Sequence, residues 1–166
     1  MIFVTVGTHE QQFNRLVECA DKYASEHDEK VIVQTGFSTY IPENCEWSEL
    51  YPYQKMIELI EKARIVITHG GPSSFIAPLQ IGKTPIVVPR EKQYGEHVND
   101  HQVNFCRQVA KRMGTIIEVE DMDKLVKIID NYDDEVKKMK KENLSNNKKF
   151  CKELEAIVDD MFKGKK

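Results

Sequence analysis

The chain has little of what many well-marked protein classes require. Its four cysteines, Cys19, Cys45, Cys106 and Cys151, lie far apart with no C-x-x-C pair, which fits thiols kept reduced in the cytoplasm. No apolar run approaches the ~20 residues that a membrane-crossing helix needs. Met1 leads directly into a strand pattern, so the reading is of a soluble, untargeted chain whose membrane contact is peripheral or through a partner. An excess of positive charge is also missing. With 24 Lys/Arg against 27 Asp/Glu and a net charge of -3, nothing argues for nucleic acid as a partner. Neither G-x-S-x-G nor H-E-x-x-H occurs, and there are no repeats or low-complexity segments.

What remains is an ordinary globular composition, 31% charged and 40% hydrophobic over 166 residues, enough for one domain with a real core. Ile2–Val6 reads as a buried strand closed by Gly7-Thr8. Phe13, Leu16, Val17, Ala20, Tyr23 and Ala24 repeat at helical spacing. Val31–Val33 is a second strand, and 37–50 a loop with a short third strand. Met56, Leu59, Ile60 and Ala63 mark a helix before the strand Ile65–Thr68. A small helix over Ser73–Ile81, the strand Pro85–Val88, a helix over Val98–Met113, the strand Thr115–Val119 and a helix over Asp121–Ile129 follow. Alternating strands and helices predict a doubly wound α/β domain over 1–131, with a mostly parallel sheet, helices on both faces, and ligands at the carboxyl ends of the strands.

Residues 132–166 read as a separate helical tail. They hold 10 Lys/Arg and 8 Asp/Glu, a net +2, against -5 for the rest. Phe150, Leu154, Ile157, Val158 and Met161 form an apolar stripe, interrupted upstream by Asn143–Lys149. The stripe suits either packing on the domain or docking on a partner. In the docking case Lys137, Lys138, Lys140, Lys141, Lys148 and Lys149 would face an anionic leaflet.

Three strand ends carry chemistry. Val6-Gly7-Thr8-His9 and Thr68-His69-Gly70-Gly71-Pro72-Ser73-Ser74 combine glycines, which let a backbone approach an anion, with polar groups near a helix N-terminus. Ser73 and Ser74 suit a helix cap equally well. Two such turns in one sheet point toward a diphosphate. The third stretch, Pro89 to Gln102, gathers carboxylates, an amide and imidazoles, a mixture suited to sugar hydroxyls. His97 and His101 stand four apart on the predicted helix without a third ligand at a fitting spacing, so no metal is expected. Gly82-Lys83-Thr84 imitates the end of a P-loop, but it precedes a strand and Ala77 replaces the first glycine.

These residues, His69-Gly70-Gly71-Pro72-Ser73-Ser74, Gly82, Pro85 to Arg90, Gly95-Glu96-His97 and Asp100-His101-Gln102, resemble the glycosyltransferase family 28 C-terminal domain. The opening Phe3-Val4-Thr5-Val6-Gly7-Thr8, with Phe13 and Leu16, is similar to its stand-alone PssE-type members of capsule and exopolysaccharide synthesis. The catalytic subunit of the eukaryotic two-part dolichol-pathway N-acetylglucosaminyltransferase and the C-terminal half of MurG-type enzymes are related. The resemblance covers residues 1 to about 130. It implies the C-terminal half of a GT-B fold, Rossmann-like, with a UDP-sugar donor and no metal or other cofactor.

The resemblance further implies that Gly7 and Thr8, with His69, Gly70, Gly71, Ser73 and Ser74, hold the diphosphate. It places Glu96, Asn99, Asp100, His101 and Gln102 at the sugar, and Tyr51 and Gln54 at the uracil. Ala77 departs from the pattern where relatives often carry an acidic ribose ligand, leaving that role to another residue such as Glu91. The implied partner is a membrane-anchored, acceptor-binding subunit presenting a lipid-linked saccharide. That subunit would carry the base that fused relatives take from their other domain, with His9 and Glu96 as candidates within this chain. The alternative is a non-catalytic accessory subunit that stabilises a partner transferase.

Overall fold

The structure is a computed structural model that describes residues 1–139 and 147–163. Its six strands are β1 (Ile2–Thr5), β2 (Val31–Gln34), β3 (Glu46–Ser48), β4 (Ile65–His69), β5 (Ile86–Val88) and β6 (Ile117–Glu118). They form one sheet in the order β3-β2-β1-β4-β5-β6, with every pairing parallel. β-Branched and aromatic residues buried on both faces of β1, β4 and β5 account for that arrangement, since a parallel interior strand meets helices on each side.

On one face, α1 (Asn14–Glu26) and α5 (Met122–Asp130) pack over Val4, Val6, Val33, Ile67 and Val88. On the other, α2 (Tyr53–Lys62) covers Phe3, Ile32 and Val66, while α3 (Pro72–Gln80) and α4 (His101–Met113) enclose Val87, Phe75 and Cys106. The chain moves outward from β1 to β2 and β3, then returns through α2 to start again at β4. The carboxyl ends of β1 and β4 therefore part into a crevice at the point of reversal. Thr5 and Thr68 are register partners, so both strands leave the sheet at one level.

Two ties set the edges of this frame. Asp21 is buried in α1 and accepts from the backbone N–H groups of Glu43, Asn44 and Cys45 and from the Tyr40 hydroxyl. Burial alone would raise its pKa, but these donors together lower it, and the carboxylate holds the long loop that delivers β3. Lys83, of the false P-loop, donates to the carbonyls of Ile60 and Ala63 and so closes the end of α2.

The order of elements is the one the sequence predicts, with differences at two places. The predicted helix over 98–113 begins only at His101, because Gly95 turns left-handed at φ +68° and Asp100 forms the cap. His97 thus lies outside the helix, and the helical spacing of His97 and His101 does not exist. The boundary at 131/132 also cuts through packed structure. Tyr132 is buried, donates to the Thr84 carbonyl and starts α6 (Tyr132–Lys138), which leans on the α1/α5 core through Val136.

α7 (Asn147–Phe162) differs: Phe150, Leu154, Ile157, Val158 and Met161 are 43–69% exposed. Lys140 and Lys141 lie outside the described residues, as do positions 143–146 of the expected interruption and the side chain of Lys148. Cys19, Cys45 and Cys106 are unbridged, and burial pushes the Cys106 thiol up to about 12.

Candidate functional site at the strand reversal

A cleft of about 610 Å³ opens at the crevice, lined by Thr5, Gly7, Thr8, His9, Gln34, Tyr51, Tyr53, Met56, His69, Ser73, Ser74 and Gln102. At its centre His69, the last residue of β4, lies between the two glycine turns. A Cβ on Gly7 would stand 2.4 Å from His69 Nε2, and one on Gly71 would stand 2.2 Å from its Cε1. Gly7 also has φ +77°, which an L side chain rarely adopts. Glycine is needed at both places because the imidazole occupies the space between the turns.

The hydrogen bonds define the state of that ring. The Gly71 N–H donates to His69 Nδ1 at 3.0 Å, so the ring proton must sit on Nε2, which meets Ser74 Oγ at 2.8 Å. Burial, followed by the nearby Arg90 charge, pushes the His69 pKa down to about 4. The ring is neutral at pH 7. Because Ser74 Oγ accepts from it, the Ser74 hydroxyl hydrogen is left to point at an acceptor in the cleft. Ser73 and Ser74 open α3, whose N-terminal end adds positive potential.

The first turn contributes differently from expectation. The Gly7 N–H donates to Thr5 Oγ1 at 3.2 Å, and Thr5 in turn donates to Gln34 Oε1 at 2.8 Å. Its amide is thus already paired, and α1 begins only at Asn14, so no helix N-terminus follows the turn directly. Gln102 lines the cleft, but its Oε1 accepts from the N–H groups of Gly70 and Arg90 at 3.1 and 3.2 Å, tying the two loops together. Gly70 is buried behind the lining, where a Cβ would stand 2.9 Å from both Cys106 Sγ and Gln102 Oε1.

The charged residues sit behind the cleft rather than in it. Glu96 is 1% exposed. Arg15 reaches its carboxylate at 2.7 and 3.1 Å, and the Glu91 N–H donates to it at 3.0 Å. Glu96 is thus held in a buried ion pair with Arg15, outside the cleft lining, where its charge is tolerated through that partner. Glu91 is held by Arg15 at 3.1 Å and borders a separate depression, outside the cleft lining. Arg90, wholly buried over the Phe13 ring, donates to the carbonyls of Val6, Gln11, Gln12 and Glu96. Its pKa is pushed down to about 10 by burial, and it remains charged.

Asn99 and Asp100 are spent locally. Asn99 accepts from the His101 backbone and Asp100 from the Lys92 backbone, and both are exposed outside the cleft lining, as are His101 and Gln54. Tyr51 does line it, edge-on to Phe3. His9 lines it too, bonded to Gln11 Oε1 at 2.8 Å. Sequence reasoning missed Thr5, Gln34, Tyr53 and Met56. The signal for the first two was a polar residue closing an otherwise apolar strand. Among the described residues, no group of three or more His, Cys, Asp or Glu is arranged to hold a metal ion.

A parallel sheet in this order, with its cleft at the reversal point, is a doubly wound domain of Rossmann type. Within that class the assignment is specific: residues 1–158 match the glycosyltransferase family 28 C-terminal domain, and the chain belongs to that family. It is 33% identical over 121 residues to UDP-N-acetylglucosamine transferase subunit ALG13 of Homo sapiens and 30% identical over 120 residues to that of Mus musculus. Each match covers 66% of this chain and about 10% of the relative. The fold is similar to that of the kitacinnamycin glycosyltransferase (TM-score 0.55, 20% identity) and of the calicheamicin glycosyltransferase CalG4 (TM-score 0.58, 12% identity). Each likeness covers 78% of this chain and 34% of the other.

Proposed function

We propose that the chain is the donor-binding subunit of a two-component glycosyltransferase that moves a sugar from a UDP-sugar to a lipid-linked acceptor in cell-surface polysaccharide synthesis. The observation that carries this reading is the His69-centred cleft, in which two glycine turns and the Ser73-Ser74 helix start converge. The name of the relatives, a UDP-N-acetylglucosamine transferase subunit, supports a uridine nucleotide as the donor.

In the transfer, the leaving diphosphate would be stabilised by the Ser73 and Ser74 hydroxyls and the α3 N-terminus, fixed in place by neutral His69. Tyr51 and Tyr53 would flank the base of the nucleotide. Of the two candidates for the general base, only His9 borders the cleft, and the reading assigns the base to a membrane-anchored partner. The exposed stripe of α7 is the proposed docking face, which would keep the chain at the cytoplasmic side of the membrane through that partner. Removing residues after Met139 spares Tyr132 and α6; a folded, UDP-binding chain that still copurifies with the partner would end the docking proposal.

Calorimetry with UDP and a panel of UDP-sugars tests the donor site, and absence of binding at millimolar nucleotide would reject it. A second reading, an accessory subunit without catalytic work of its own, is favoured by the lack of any carboxylate on the cleft lining. The His69→Ala/Gln102→Ala double variant separates the two. Full activity of the assembled complex after both changes would select the accessory reading.

A further inference from the structure

A nucleoside diphosphate sugar brings two negative charges, yet the cleft has no lysine or arginine on its lining. The nearest guanidinium groups are committed elsewhere, Arg90 to four backbone carbonyls and Arg15 to Glu91 and Glu96. An anion that leaves water for a half-buried site needs a compensating charge. What stands beside the diphosphate turn is imidazole. His9, on the cleft wall next to Gly7-Thr8, stacks on His97 with centroids 4.7 Å apart and planes 13° from parallel. His101 meets His97 edge-on, with centroids 4.5 Å apart.

We propose that the His9–His97 stack takes up one proton when the diphosphate of a nucleotide sugar enters the cleft, and so supplies the positive charge that the lining lacks. The inference rests on the donor-site reading above.

The geometry leaves this pair as the place for the proton. His69 cannot take it, because its Nδ1 accepts from the Gly71 N–H and its Nε2 already carries the ring hydrogen. His9 has Nε2 engaged with Gln11 Oε1, which puts its ring hydrogen on Nε2 and leaves Nδ1 as the nitrogen with a lone pair. Burial first, then His101, His9 and Arg90, lower the His97 pKa. The other charged groups around the stack do not offset this. Glu96 is consumed by Arg15, Asp100 accepts from the Lys92 backbone, and Glu10 is exposed. An arriving dianion reverses that balance. Two charged rings stacked at 4.7 Å would repel each other, which limits the uptake to one proton.

Uptake on binding means that affinity falls as pH rises, by up to about tenfold per unit for one full proton. The test is calorimetry of the full chain with UDP-N-acetylglucosamine and UDP-glucose near neutral pH, in buffers of different ionisation enthalpy. UDP alone is avoided because its terminal phosphate titrates at about 6. The expected result is about one proton taken up per nucleotide sugar, reduced to none in His9→Gln/His97→Gln, whose binding becomes weaker at pH 6 and insensitive to pH. A thermal melt confirms that this variant is folded. Binding without proton uptake by the native chain overturns the inference and leaves the donor site standing, and uptake that persists in the double variant also overturns it. Failure of both nucleotide sugars and of UDP to bind rejects the donor site itself, and the inference with it.

Discussion

The two loops that meet at the cleft are built on opposite electrostatic plans. The β4–α3 turn is neutral and self-contained. His69 accepts from Gly71 and donates to Ser74, and its ring fills the space that Gly7 and Gly71 leave. The β5–α4 loop is crowded with charge, yet Arg90, Glu91 and Glu96 point into the protein, where they bind backbone carbonyls, an amide and Arg15. The first loop presents donors, and the second braces the β1–α1 loop that forms the opposite wall. The difference teaches that a charged residue near a strand end is not for that reason a ligand, because a buried charge is held first by the partner that makes its burial tolerable.

The sharpest way to break the comparison is at the brace. Arg90→Met leaves the carbonyls of Val6, Gln11, Gln12 and Glu96 without their donor. It should cost about 3–5 kcal/mol in urea unfolding and release the β1–α1 loop. The neutral turn should show itself in acid. His69 has its folded pKa depressed to about 4 against 6.5 for the unfolded chain. Its contribution is therefore complete above pH 6.5 and lost as pH falls toward 4, by up to roughly 3 kcal/mol. His69→Gln should flatten that part of the stability–pH curve measured by chemical denaturation. Gly7→Ala sets a Cβ against the ring and forces φ +77° on alanine, for a loss of about 2 kcal/mol. Ser74→Ala removes one acceptor from His69 Nε2. It should lower stability by only about 1 kcal/mol while weakening UDP binding about tenfold.

Much of this arrangement was legible beforehand. The apolar runs Ile2–Val6, Ile65–Thr68 and Pro85–Val88 announced buried parallel strands, and Gly7-Thr8-His9 after the first and His69-Gly70-Gly71 with Ser73 and Ser74 after the second pointed to the strand ends that line the cleft. Thr5 reads as an interior residue of the run Ile2–Val6 and Gln34 as the residue after Val31–Val33, and only strand register shows that they meet. The roles of Glu96 and Arg90 were illegible for a related reason. Arg15 is 81 residues from Glu96, and Gln11 is 79 residues from Arg90. Residue type suggests what a side chain can do, while the fold decides whether it is already occupied. α4 starts at His101 rather than Val98 because Asn99 and Asp100 cap it, the Asn99 side chain accepting from the His101 N–H.

The central claim, that the neutral β4–α3 turn contributes binding donors while the buried charges of the β5–α4 loop brace, is tested most directly by measuring UDP affinity in Ser74→Ala and Glu96→Gln side by side. Both measurements are made by calorimetry at a temperature where each variant is folded. The account predicts that Ser74→Ala loses about tenfold in affinity with its melting temperature nearly kept. Glu96→Gln should melt earlier, because Arg15 loses a charged partner, and should still bind UDP within about threefold of the native chain, a change below 1 kcal/mol. The reverse pattern, binding that survives the loss of the Ser74 hydroxyl and collapses with the Glu96 charge, would contradict it.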